Sequence, residues 1–296
     1  HVDQGPDSIL NFDTNETWAD LSRARPISET NPLGTGSGNS YNWNAFQVLK
    51  DGPGSFTETG RTPIFHYVIS AHNYGSSGSS GISRGRGASD FIISLGSFAA
   101  NVGTIPQQAG TLMHELGHNL NLLHGGDDNI NFKPNYLSIM NYSFQMDGVI
   151  RDDIGGNMDY STLILPTRFE NNLAEPTGLG PNAEGFGTRH FCTFFFGLKN
   201  VWATVINADQ PIDWNCDGDT TDTNLEYNIN GENGSNQELR GYNDWVNIKL
   251  KGGAIGLARA TPDLPVETEE EYLTPELAER ILPMPHVHYL PLIIRS

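Results

Sequence analysis

The stretch HELGHNLNLLHGG, residues 114–126, gathers three of the chain's nine histidines and a glutamate into eleven residues. On a helix, His114 and His118 lie about 40° apart around the axis with side chains about 6 Å from each other. Two imidazole nitrogens at that separation can converge on one zinc ion at about 2.0–2.1 Å. Glu115 is turned by about 100°, away from the ligand line but within reach of a water on the metal. His124 lies six residues beyond His118, and a continued helix would rotate it by about 600° and carry it about 9 Å further. The helix must therefore end between them, at a residue that tolerates positive φ, which means Gly first and Asn or Asp next. Asn121 stands there and is expected to turn the chain back so that His124 reaches the metal.

An HExxH alone arises by chance in roughly one or two chains per hundred of this composition, and a third histidine at a fixed place lowers that about thirtyfold. The segments before it fit a helix laid on a sheet. PIFHYVISAH, residues 63–72, and FIISLG, residues 91–96, read as buried strands, rich in β-branched and aromatic side chains. Between them the Gly/Ser-rich NYGSSGSSGISRGRGASD, residues 73–90, leaves room for a short exposed strand around Ile82. Thr104 and Gln107 have the spacing of a capping box, with Pro106 in the first turn, so the helix should start there and run into the histidines. Weaker helical stretches are expected near residues 16–23, 43–50 and 266–281.

The composition suits a loop-rich globular chain. Of 296 residues 37% are hydrophobic, enough for a sizeable core, while 33 glycines and 17 prolines exceed the ordinary share. A net charge of -18 would repel a phosphate backbone, which excludes nucleic acid as a partner. No run of eighteen apolar residues is present, so no membrane span is expected.

A second motif, YLSIMNY at 136–142, follows the third histidine. Together, HELGHNLNLLHGG and YLSIMNY resemble the extended zinc signature and the methionine turn of the metzincin metallopeptidases, with Asn at the position of the usual Gly. With the strands ahead of them, the resemblance covers roughly residues 60–145. It implies an α/β (α+β) fold: a twisted mixed sheet with an antiparallel edge strand, an active-site helix and an irregular C-terminal half. One catalytic unit over 1–296 is expected, with subdomains of about 1–124 and 125–296. The resemblance makes His114, His118 and His124 zinc ligands, Glu115 the general base and acid, and Met140 the apolar floor under the metal. Tyr142 would bind zinc or stabilise an oxyanion. Gly81, Ile82 and Ser83 would form the edge against which an extended peptide pairs, and residues 143–149 would line a selectivity pocket. The implied reaction is peptide-bond hydrolysis by a monomer.

The acidic stretch DWNCDGDTTDTN adds a second metal expectation. Asp213, Asn215, Asp217 and Gly218 match the first half of a calcium loop, with Asp219 and Asp222 adding carboxylates. The twelfth position is Asn224 rather than glutamate, so the expectation is a calcium-stiffened loop and not an EF-hand; an acidic turn that binds nothing is the alternative. Cys192 and Cys216, the only cysteines, read as a disulfide tethering this loop, which suits a secreted protein. Two buried free thiols are the alternative. The acidity and scarce cysteines favour a bacterial source, with signal and propeptide removed. His66, His72 and His190 have no partner at ligand spacing, His286 and His288 have only each other, and all five read as packed or surface residues. A zinc-holding peptide-binding pseudoenzyme and a gluzincin-type hydrolase are the competing readings; Glu115 speaks against the first and His124 against the second.

Overall fold

β-branched and aromatic residues collect in three short strands that frame the first half of the protein: β1 (Tyr67–Ala71), β2 (Gly81–Ser83) and β3 (Asp90–Ser94). The structure, a computed structural model, describes residues 27–28, 30–53, 55–57, 65–152, 154–194, 199–232, 236–249 and 273–281. The chain falls into two compact units, His1–Thr30 and Asn31–Ser296, and among the described residues every strand and helix belongs to the second.

The strand order is β1-β3-β2. β1 runs parallel to β3, with Val68 opposite Phe91, and β2 runs antiparallel to β3, with Ile82 opposite Ile92. A mixed sheet with an antiparallel edge over Gly81–Ser83 is the one expected, but Ile82 is buried against the core rather than exposed. Its core side is filled by Ile69, Ile82 and Ile92, against Tyr41, Tyr74 and Phe46. Phe46 comes from helix α1 (Asn44–Asp51), which falls where the sequence suggests one. Lys50 of α1 is buried and paired with Asp90 at 2.5 Å, so neither charge is left uncompensated in the interior.

Helix α2 (Ile105–Asn119) packs on β2 and β3. It begins as its sequence dictates: Thr104 accepts from the Gln107 amide, Gln107 reaches back to the Thr104 amide, and Pro106 sits in the first turn. Its buried residues include Gly110, His114, Glu115, Gly117 and His118. The helix therefore buries the face that carries the ligand-type side chains.

Beyond residue 124 the chain is built from turns and two-stranded pieces. A single turn of helix, α3 (Tyr142–Gln145), precedes the hairpin of β4 (Val149–Arg151) and β5 (Ile154–Asn157). β6 (Arg168–Phe169) pairs with β11 (Glu238–Leu239), and β7 (Leu173–Ala174) with β10 (Thr223–Leu225). The apolar patch at 190–206 forms a hairpin, β8 (Thr188–Phe194) with β9 (Lys199–Val205). These pieces enclose a core around Trp214, Leu179, Ile229 and Leu239. Short helices α4 (Asp244–Asn247) and α5 (Pro275–Ile281) complete the described elements.

Small sheets and few helices make this an α+β fold, and no described helix is long and apolar enough to cross a membrane. Cys192 and Cys216 are joined, tying β8 to the acidic loop across a sequence separation of 24. Of the weaker helical stretches, the one near 266–281 is helical over Pro275–Ile281; 16–23, like His286 and His288, lies outside the described residues.

Candidate metal centre

The turn after α2 is what brings the third histidine home. Asn121 adopts φ +79°, its amide donates to His118 O at 3.0 Å, and the Leu122 amide donates to Gly117 O at 2.9 Å. This pair of bonds with one left-handed residue is a Schellman motif. The chain then doubles over Leu123–Gly126, where the two residues bond each other's backbone, with His124 at the bend.

His114, His118 and His124 are 2%, 7% and 3% exposed, and their ligand-type nitrogens lie within 4.8 Å of one another. Ring centroids are 4.8 Å apart for His114 and His118, 5.1 Å for His114 and His124, and 4.9 Å for His118 and His124. The His114 Nδ1 faces the Ile139 carbonyl at 3.1 Å, and the His118 Nδ1 faces the Leu122 carbonyl at 2.9 Å. A carbonyl can only accept, so each Nδ1 carries its proton and each Nε2 presents a lone pair. Those two Nε2 atoms face each other at 3.2 Å. Two lone pairs so close need a proton or a metal ion between them. Tetrahedral zinc at about 2.0–2.1 Å from each nitrogen would hold them about 3.3 Å apart, so the residues fit a metal ion of that size.

The electrostatics agree. Burial first, then the neighbouring His118, holds His114 well below the usual imidazole range; burial, His118 and His114 do the same to His124. Both are neutral near pH 7 and can bind a metal without first losing a proton.

Tyr142 packs against this trio, while Glu115, Met140 and Ser83 meet other residues of α2 and the edge strand. Glu115, 5% exposed, packs under the edge strand: a Cβ added to Gly81 would sit 2.8 Å from Glu115 Oε1. The Tyr142 ring is 4.5 Å from His124 and 5.3 Å from His114. Met140 is fully buried beneath α2, where a Cβ on Gly117 would overlap its Sδ. Ser83 accepts from Asn119 at 2.7 Å, joining the edge strand to the end of the helix. Residues 143–146 and 149 are buried. A cavity of about 270 Å³ lined by Leu137, Val149, Asn157, Tyr160 and Phe186 among others includes none of the three histidines.

Sequence reasoning misses what braces the methionine turn. Asp244, 106 residues after Ser138, accepts from Ser138 Oγ at 2.5 Å, from the Tyr136 hydroxyl at 2.6 Å and from the Ser161 amide at 2.9 Å. Ser138 Oγ in turn accepts from the Met140 amide at 3.1 Å. The loop fixed in this way presents the Ile139 carbonyl to His114. Burial pushes the Asp244 carboxyl up to about 6, against the lowering effect of its donors Ser138, Tyr136 and Ser161. In the sequence Asp244 follows Asn243, which caps α4, and reads as an ordinary helix start. Lys133 is also unanticipated: fully buried, it donates to Gly125 O, Asp128 and Arg240 O and holds the loop after His124.

At the acidic loop, Asp219 and Asp222 converge with Glu175, a buried residue from outside the motif, and their carboxylates could hold a metal ion. Asp213 lies outside this group and accepts from the Asp217 and Gly218 amides at 3.1 and 2.9 Å, as Glu175 does from those of Trp214 and Asp222; Asn215 donates to Asp217 and Asp222. His190 is packed against Trp214 with burial pushing it down to about 4, and His66 bonds Asn119, so both act as packed residues.

In comparison with known proteins, no family model, no curated protein and no solved structure matches the chain.

Proposed function

We propose that the protein is a secreted zinc-dependent endopeptidase of metzincin type. The observation that carries this reading is the pair of inward-facing Nε2 lone pairs on His114 and His118, closed by His124, with Glu115 beside them under an edge strand. A pseudoenzyme that merely holds zinc has no need of a carboxylate there. When bound, zinc would acidify a water molecule and polarise a carbonyl. Glu115 would take a proton and return it to the leaving amine. The outer edge of β2 offers backbone groups to an extended peptide, a mode indifferent to much of its sequence. The Tyr142 hydroxyl would stabilise negative charge on the attacked oxygen, and Met140 would keep the floor apolar. The calcium expectation attaches to the oxygens of Glu175, Asp219 and Asp222 and is decided by calcium titration followed by calorimetry.

Elemental analysis should find about one zinc per chain, lost on treatment with a chelator. Casein hydrolysis should fall by about 10² or more in Glu115→Gln with zinc content unchanged, since general acid–base catalysis contributes about 10²–10⁴. Unaltered hydrolysis in that variant would sink the role of Glu115. Zinc binding without hydrolysis by the wild type would favour a peptide binder.

A further inference from the structure

The metal centre lies beside a segment from the other end of the chain. Helix α5 and Leu273 just before it present Leu273, Leu277, Ala278 and Ile281, all at most 7% exposed, while Glu276, Glu279 and Arg280 face water. The apolar side packs into one cluster with Leu95, Phe98, Phe132, Tyr142 and Met146, with Trp202 against its margin. One of these partners reaches the metal site: the Tyr142 ring lies 4.5 Å from His124, and Phe132 backs Tyr142 at 5.9 Å.

A backbone contact reinforces the packing. Ser80, immediately before β2, gives its carbonyl to the Ser94 amide of β3 at 2.6 Å and its own amide to the Leu273 carbonyl at 3.0 Å. Leu273 thus meets the backbone at the entrance to β2, through the residue before the Gly81 that packs on Glu115. Edge-strand hydrogen bonding plus aliphatic side chains in a flanking apolar wall are the two contacts an extended peptide makes when it adds to a sheet. The segment of the chain itself supplies the aliphatic side chains and one backbone bond, at Ser80 just before the edge strand.

We propose that Leu273–Ile281 is an intramolecular occupant of the substrate groove that holds the protein's turnover down, and that the wall formed by Phe98, Phe132, Tyr142, Met146 and Trp202 takes bulky aliphatic side chains. A seven-residue helix has little stability of its own in water, so α5 is held by this groove and can be displaced from it. The occlusion itself stands on the contacts above; its consequence for activity rests on the peptidase reading.

The test uses the full, zinc-loaded chain carrying Leu277→Asp and Ile281→Asp, which place charge against the apolar wall. Zinc removal by a chelator and casein turnover should each rise about tenfold or more, the scale set by losing one buried leucine-sized side chain. A synthetic peptide spanning residues 273–281 added in trans should reverse the gain. Unchanged rates of both in a folded variant overturn the proposal. Faster zinc removal with no hydrolysis by any form upholds the occlusion and overturns the peptidase reading instead. If the double variant does not melt cooperatively, Leu277→Ala decides by the same two rates, with about a threefold rise expected and no rise counting against.

Discussion

Gly117 and Met140 occupy one another's space: a methyl group on Gly117 would overlap the Met140 sulfur and lie 3.1 Å from the Tyr160 ring. The glycine of HELGH is therefore small because the turn at Met140 sits directly beneath it, one residue before His118. Gly117→Ala should cost about 1–3 kcal/mol by overpacking and weaken metal binding. The check is a double-mutant cycle with Met140→Ala by denaturant unfolding. Strict additivity of the two would show that the contact is not what forbids the methyl group.

Asn121 is the pivot on which His124 depends. A β-branched residue at φ +79° bears a cost of about 1–2 kcal/mol, whereas Gly adopts that conformation freely. Asn121→Val should lower the unfolding free energy by that amount and reduce zinc affinity; Asn121→Gly should leave affinity within about twofold. Competition with a chromogenic chelator measures both.

Asp244 ties the methionine turn from the far end of the sequence. Asp244→Ala leaves Tyr136 and Ser138 without their acceptor and should cost about 1–3 kcal/mol, more than Asp244→Asn, which keeps an acceptor for one of them. The carboxyl is raised by burial to about 6 from an unfolded value near 4. A raised acid binds more protons folded than unfolded, so its contribution is full below about pH 4 and is lost as pH climbs through about 6. Unfolding free energies measured from pH 4 to 7 should fall less steeply with rising pH in Asp244→Asn than in the wild type. Equal slopes would show that Asp244 titrates normally.

The disulfide anchors the acidic loop to β8. Replacing both Cys192 and Cys216 by Ser should cost about 2–4 kcal/mol, mainly by freeing the unfolded chain. Cooperative unfolding of the double variant at an unchanged midpoint would count against that share of the stability. Zinc content should stay the same, because neither cysteine adjoins the histidines.

Much of the site is legible in the sequence because it is local. The capping box at Thr104, the four-residue step from His114 to His118 and the left-handed residue at Asn121 are each fixed by bonds within a few residues, and the structure has all three. The edge strand at Gly81–Ser83 is legible too, from a short apolar residue inside a Gly/Ser-rich run. The acidic loop is only half legible: Asp219 and Asp222 belong to the motif, but Glu175 comes from the turn after β7.

By itself the sequence determined the helix, its end and the three histidines, since 3.6-residue geometry and backbone conformational preference act over a single turn. Tertiary structure alone decided that Asp244 braces the methionine turn, that Lys133 holds the loop after His124 and that Leu273 meets Ser80. Those partners lie from eight to nearly two hundred residues apart, with no period to mark them. They are selected by the need of buried carbonyls, hydroxyls and charges to find partners once the chain has closed around them.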